Sequence, residues 1–236
     1  DIHLFGLEGG ESLYLLGADH LGRDLLSRIL YGSRISLSIG IIGVLITLVL
    51  GCLIGGISGY VGGVTDTVIQ RVIEMIMSLP KLPLWMGLSA ALPPTWSPLK
   101  VYFGMILILS MMGWTGLARV VRGKFISLRE EDFAMAARLA GATELRIIWK
   151  HLLPSFFSYL IVSLTLSIPG MILAETSLSY IGLGLRPPVI SWGVLLQQAQ
   201  SVQVLAEYPW ILGPAVFVIV VVLAFNFVGD GLRDAA

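Results

Sequence analysis

Charge is scarce in this 236-residue chain: Asp, Glu, Lys and Arg together make up 13% of it, where a soluble domain carries about a quarter. That deficit excludes an ordinary soluble fold. Fifteen Lys and Arg balance fifteen Asp and Glu, so no global basic surface exists to recognise nucleic acid. Cysteine is nearly missing too. Cys52 stands alone in an apolar run, which excludes an internal disulfide or a multi-cysteine metal site. The three histidines, His3, His20 and His151, lie far apart in sequence, and no metal centre is expected. No basic stretch with a short apolar core and small-residue cleavage site opens the chain. It begins at Asp1, and an upstream segment is expected.

What the chain has in excess is apolar residues, 56% of the total. A helix needs about 20 of them to cross the hydrocarbon core. Four charge-free stretches meet or nearly meet that length: Ile35 to Thr65, Val101 to Ala118, Leu152 to Ala174 and Tyr208 to Gly229. A fifth, Val68 to Leu92, is interrupted by Arg71, Glu74 and Lys81, and Pro80 and Pro83 predict a broken helix lining protein or water. The reading is an all-α polytopic bundle with five visible spans. It divides into an external segment, 1–34, and a transmembrane domain, 35–236, with a cytoplasmic loop at 128–154.

Seven basic residues, Arg119, Arg122, Lys124, Arg129, Arg138, Arg146 and Lys150, fall between the third and fourth visible spans. The excess of Lys and Arg marks that loop as cytoplasmic. Alternation then puts the 182–207 loop outside and the 229–236 tail inside. The segment 1–34 falls outside, although it holds Arg23, Arg28 and Arg34; one more upstream span, six in the intact protein, would carry it there. Arg119, Arg122 and Lys124 read as positive-inside anchors, and Trp192 and Trp210 as interfacial belt residues. Glu175 is expected near the outer surface, solvated or capping. Asp19, Arg23 and Asp24 are expected to bond locally. Gly51, Gly55, Gly59 and Gly63 recur at four-residue steps and predict a flat face for close packing against another span of the same chain.

The cytoplasmic loop reads as two short helices around a glycine. Glu130, Glu131 and Asp132 sit where the macrodipole of a helix over 131–140 favours negative charge. Gly141 supplies the left-handed turn, Thr143 is a candidate N-cap for a second helix over 143–152, and Pro154 starts the next span. Ala134, Ala136, Ala137 and Ala140 leave the first helix bare, so that another protein's groove can approach. The competing reading is an amphipathic connector lying on lipid. Lys81, placed about 13 residues into its span, or ~20 Å deep, reads either as a pathway residue meeting an anionic solute group or as a contact to a partner subunit. No Ser, His and carboxylate group is placed for catalysis.

The stretch MAARLAGATELRIIWKHLLP, 135–154, resembles the EAA loop of permease subunits in binding-protein-dependent ABC importers. Ala136, Ala137, Gly141, Leu153 and Pro154 match that pattern. Met135 stands where the pattern has Glu and His151 where it has an apolar residue, with Glu131 or Asp132 as the nearby substitute carboxylate. GADHLGRDLLSRILYGSRISLSIG at 17–40, AETSLSYIGLGLRPP at 174–188 and NFVGDGLRDA at 226–235 are similar to the C-type permease subunit of dipeptide and oligopeptide importers. The resemblance implies a type I importer permease of the bacterial or archaeal inner membrane, paired with a second permease subunit. It also implies two ATPase subunits that bind ATP and Mg, and an external solute-binding protein. The site residues it implies for coupling are Glu131, Asp132, Ala136, Ala137, Gly141, Ala142, Leu153 and Pro154, beside Lys81 as the candidate path residue read from its place in the span. The chain has no phosphate loop of its own, no catalytic residues and no cofactor are expected, and dipeptides or oligopeptides are the expected solutes. The alternatives are another solute, such as an oligosaccharide, nickel or glutathione, and a gradient-driven secondary transporter.

Overall fold

The structure, a computed structural model, describes residues 14–235, apart from the side chain of Leu145. Residues 1–13 of the external segment, His3 among them, lie outside the described residues. Helix α1 covers Leu25–Val61, α2 Gly63–Ser78, α3 Lys81–Ala90 and α4 Pro98–Leu128. Three short helices follow: α5 at Asp132–Leu139, α6 at Glu144–Ile147, which runs on as a π-helical turn over Ile148–Leu152, and α7 at Leu153–Ser155. Then come α8 at Phe157–Tyr180, α9 at Trp192–Gln197, α10 at Val202–Glu207 and α11 at Gly213–Ala235.

Among the described residues four helical segments are long and apolar enough to cross a membrane: α1, α4, α8 and Pro209–Ala235, which is α11 with the 3-10 turn before it. The fifth expected span is not one helix. It is two, α2 and α3, separated at Leu79 and Pro80, where the backbone is extended. The break comes before Pro80 because that ring disfavours helical geometry in the preceding residue, whereas Pro83 sits harmlessly in the first turn of α3.

Contacts along the helices establish that these two pieces together make one pass. The α1 and α4 contacts rise together in number: Tyr102 Oη donates to Ser38 Oγ at 2.8 Å, Ser110 Oγ to the Gly43 carbonyl at 3.1 Å, and Gly59 abuts Arg122. The two helices are therefore parallel, and the chain must return between them. Along α2 and α3 the order reverses, with Ile73 against Trp114 and Ala118 and Ser89 against Met105. Helix α8 runs antiparallel to α1, pairing Ile172 with Gly40 and Glu175 with Ser36, and α11 runs antiparallel to α8, with Gly229 against Leu166.

The glycine stripe does what its spacing predicts, within one chain. A Cβ on Gly51 would stand 2.8 Å from Leu117 and one on Gly59 2.6 Å from the Arg122 carbonyl oxygen, and at Gly55 it would collide with the Ala118 backbone. Only glycine lets α1 lie this close to α4. Gly63 is not part of the stripe. It opens α2 with φ +58°, after Gly62 at φ +70° has turned the chain.

Helix α1 starts at Leu25, inside the segment expected to precede the first span, because Asp24 caps it by accepting from the Leu26 and Ser27 amides. Asp19 accepts from Arg23 Nε at 2.8 Å and from Arg28 Nη1 at 2.5 Å. The local bonding expected of Asp19, Arg23 and Asp24 is present, and it neutralises two of the cations that made this segment an awkward external one.

Candidate functional site

The loop expected to hold two helices around a glycine does so, in slightly shorter form. Its first helix is α5; Gly141 follows with φ +77°, a conformation that side chains with a Cβ rarely adopt. The Gly141 amide donates to the Arg138 carbonyl and the Ala142 amide to the Ala137 carbonyl, both at 3.0 Å, which is the paired bonding of a Schellman end. Beyond it the second element is one turn of α6 and the π turn, so the helix expected over 143–152 is α-helical for only four residues.

The inner face of this hairpin is rooted. Ala134, Ile147 and Leu152 are buried in one cluster with Tyr60 of α1, Leu117, Val121 and Phe125 of α4, and Phe156 and Leu160 at the base of α8. Leu153, Ala137 and Ala142 pack against its edge. Phe125 and Phe156 meet edge to face at 5.8 Å. Arg129 Nη1 donates to the carbonyls of Gly59 and Tyr60 at 3.3 and 3.4 Å, satisfying orphan acceptors at the C-terminal end of α1 with a cation that also suits the helix dipole. Arg138 Nη2 reaches Tyr60 Oη at 3.5 Å.

The outer face is open. Glu131, Asp132, Ala136, Gly141 and Pro154 are exposed. Phe133, Ala136, Ala137, Ala140, Gly141, Ala142, Arg146 and His151 line one hollow of about 540 Å³. Leu139 is 88% and Trp149 56% exposed. Met135, in the position where a Glu was looked for, is exposed as well, and its amide donates to the Glu131 carbonyl. Of the expected coupling residues, Ala136, Ala137, Gly141 and Ala142 share this small-residue hollow, whereas Glu131, Asp132, Leu153 and Pro154 lie outside its lining.

Arg122 was read as a plain anchor, and that is corrected. Its Nε and Nη2 both bind the Asp66 carboxylate at 2.5 Å, and Asp66 also accepts from Ser58 Oγ. This bidentate pair ties the start of α2 to α4, directly above the hairpin. Lys81 stands apart from everything described so far. It is the exposed first residue of α3, after the break, and among the described residues it enters no ion pair.

At the opposite end of the bundle lies a polar centre that sequence reasoning missed. Glu175 is fully buried, not solvated. Ser179 Oγ and Ser191 Oγ donate to its Oε1 at 2.8 and 2.9 Å, and Ser36 Oγ to its Oε2 at 3.3 Å. Each hydroxyl also accepts a backbone amide: Leu185 N on Ser179, Val194 N on Ser191 and Trp192 N on Ser36. With its lone pair so engaged, each serine has its one proton free for the carboxylate. Trp192 is buried too, 1% exposed, with Nε1 donating to the Ile29 carbonyl at 3.0 Å; it is no belt residue. Trp210, 44% exposed, does sit at the surface, where its Nε1 donates to the Ala18 carbonyl. Among the described residues no three of His, Cys, Asp and Glu gather as a metal cluster.

The known proteins whose sequences this chain resembles are transporter subunits. Residues 51–236 match the family described as binding-protein-dependent transport system inner membrane component. The dipeptide transport system permease protein DppC of Bacillus subtilis is 38% identical over 93% of this chain and 67% of its own length. The oligopeptide transport system permease protein OppC of Haemophilus influenzae is 39% identical over 95% of the chain and 70% of its own length. Among solved structures, an inward-facing MetNI methionine ABC transporter superposes with TM-score 0.64 at 18% identity, covering 90% of this chain and 98% of that one. With a family match over most of its length and relatives more than 30% identical along it, the chain belongs to the binding-protein-dependent inner membrane permease components of ABC transporters.

Proposed function

We propose that this chain is a permease subunit of an ATP-driven importer for dipeptides or oligopeptides, and that the α5–α6 hairpin couples ATPase closure to alternating access. The observation that carries the reading is the two-faced hairpin. Leu139 and Trp149 are exposed on it, an exposure that suits a partner's groove. Its inner face holds the ends of α1, α4 and α8, so that a push on the hairpin reaches three spans at once. The dipeptide and oligopeptide names of the relatives support the solute class. Two ATPase subunits in the cytosol, binding ATP and Mg, would supply the hydrolysis; a second permease subunit would complete the pathway, and an external binding protein would deliver solute.

The orientation follows from charge. Arg119, Arg122, Lys124, Arg129, Arg138, Arg146, Lys150 and Arg233 all belong to the hairpin end, an excess of basic residues that supports a cytoplasmic position for that end and the C-terminus in a bacterial or archaeal cell. Glu131 and Asp132, exposed at the first turn of α5, take the part of the carboxylate that Met135 does not provide. Lys81, at the break between α2 and α3, faces the pathway. Lys81→Ala should impair transport by a complex that assembles normally; unchanged transport would remove it from the path.

The test is purification of the tagged protein in mild detergent from its native membrane, with mass spectrometry of its companions, repeated with Gly141→Pro. Recovery of a second permease and ATPase subunits, with the ATPases lost in the variant, is expected. A protein that comes out alone, with transport that follows an ion gradient and survives ATP depletion, would overturn the reading.

A further inference from the structure

Helix α8 carries hydroxyls where the bundle does not cover it. Ser155 of α7 and Tyr159, Ser163 and Ser167 of α8 recur every fourth residue, with Ser158 beside them, and the α8 part, Tyr159 to Ser167, climbs about 12 Å at 1.5 Å per residue. Together with Lys124 of α4 and Arg233 of α11, these residues line one hollow of about 800 Å³. Helix α11 packs on α8 at Gly229, whose lack of a side chain lets it press on Leu166, and the hollow lies on the hairpin side of that contact. One turn beyond that contact, Arg233 turns to the same space.

Two features make this more than a polar surface. Lys124 and Arg233 are exposed, and among the described residues neither enters an ion pair. No carboxylate lines the hollow, although Asp230 and Asp234 flank Arg233 in sequence. The donors of Ser155 and Ser167 are spent on the Leu152 and Ser163 carbonyls, at 2.6 Å each, so the stripe is wettable without offering strong binding along its length. Free positive charge sits only at its cytoplasmic end. A hydroxyl stripe that ends at two cations without carboxylate partners suits a water-filled route better than a lipid-facing groove.

We propose that Lys124 and Arg233 form an anion subsite at the inner mouth of the translocation route, and that its ligand is the terminal carboxylate of the peptide in transit. The site would draw the charged end of the solute inward along the α8 stripe and hold it loosely enough to release it, because both cations remain in contact with water. The proposal rests on the peptide-importer reading given above.

The experiment uses the full complex with its binding protein in proteoliposomes and compares ATP-driven uptake of one tripeptide as the free acid and as the C-terminal amide. It uses wild type and the double variant Lys124→Gln with Arg233→Gln, each checked for subunit content. The expected result is an acid-to-amide uptake ratio about tenfold lower in the variant, the loss of a charge-assisted contact, with the ratio restored by Lys124→Arg with Arg233→Lys. An unchanged ratio, or equal loss for both peptides, overturns the subsite while leaving the importer intact. Loss confined to vesicles containing phosphatidylglycerol, and absent in pure phosphatidylcholine, would mean the cations hold a lipid phosphate, and also overturns it. A wild-type complex that moves neither peptide overturns the peptide reading and the subsite with it.

Discussion

The two ends of this bundle solve the problem of polar groups in opposite ways. At the Glu175 end every partner of the carboxylate is inside the chain: three serines, each fixed by a backbone amide, join α1, α8 and α9. At the hairpin end the inner face is pinned by Arg129 and the Asp66–Arg122 pair, but the outer face and the α8–α11 hollow leave apolar and cationic groups without partners. A closed end and an open end on one rigid set of helices mark where the subunit is complete by itself and where it waits for others.

The strongest way to break this comparison is to open the closed end. Glu175→Ala would leave three buried hydroxyls without their acceptor and a cavity beside them, a cost of about 3–5 kcal/mol; a large drop in the thermal midpoint of the purified complex is the expected outcome. Glu175→Gln, which keeps the volume, should cost less. Next in size is the helix contact that joins the two ends. Gly59→Ala would push a methyl group against the Arg122 carbonyl, costing about 1–3 kcal/mol, and a denaturation series should show it while Gly116→Ala, facing open space, stays near wild type.

At the open end the effects on stability shrink and those on coupling grow. Gly141→Ala must place a Cβ at φ +77°, worth about 1–2 kcal/mol, and should lower solute-stimulated ATP hydrolysis more than it lowers the melting midpoint. Leu139→Ser should leave the midpoint within about 0.5 kcal/mol of wild type and weaken ATPase retention on a tag column. Equal retention would show that the open face is not used.

The smallest effect concerns pH. Burial alone would raise the Asp19 carboxyl pKa, but hydrogen bonds from the Arg23 side chain and from the backbone amides of Arg23 and Leu21 hold it below its ordinary value. A depressed value in the folded state means that the stabilisation is present above the unfolded pKa, about 4, and is lost as pH falls through the folded one. The outer segment should therefore become more protease-sensitive on going from pH 5 to pH 3, and Asp19→Asn should flatten that dependence.

The hairpin end was legible in the sequence because its signals are local. Ala spacing, Gly141 and the basic residues each act within one or two turns, and the glycine stripe of α1 needed only a neighbour of any identity. The closed end was not legible. Counting from Pro154 put Glu175 far along its span from the hairpin, but position along a helix is not exposure. What buries it is the chain between 182 and 197, folded back so that Ser191 donates to Glu175 and the Trp192 amide meets Ser36, 156 residues away in sequence. Trp192 was misjudged for the same reason. The Arg122 pairing was hidden in a similar way: nothing local tells an arginine that anchors a span from one that finds Asp66, 56 positions earlier.

Helix α1 is 37 residues long, roughly 55 Å at 1.5 Å per residue. It reaches from Ser36, in the closed network, to Gly59 and Tyr60, whose carbonyls Arg129 grips, a span of about 35 Å. Such a rod behaves as a lever. Pivoting it by about 5° around its middle would swing each tip by roughly 2–3 Å in opposite senses. A small tilt imposed at the hairpin therefore arrives on the far side of the membrane as a displacement of nearly an atom's diameter.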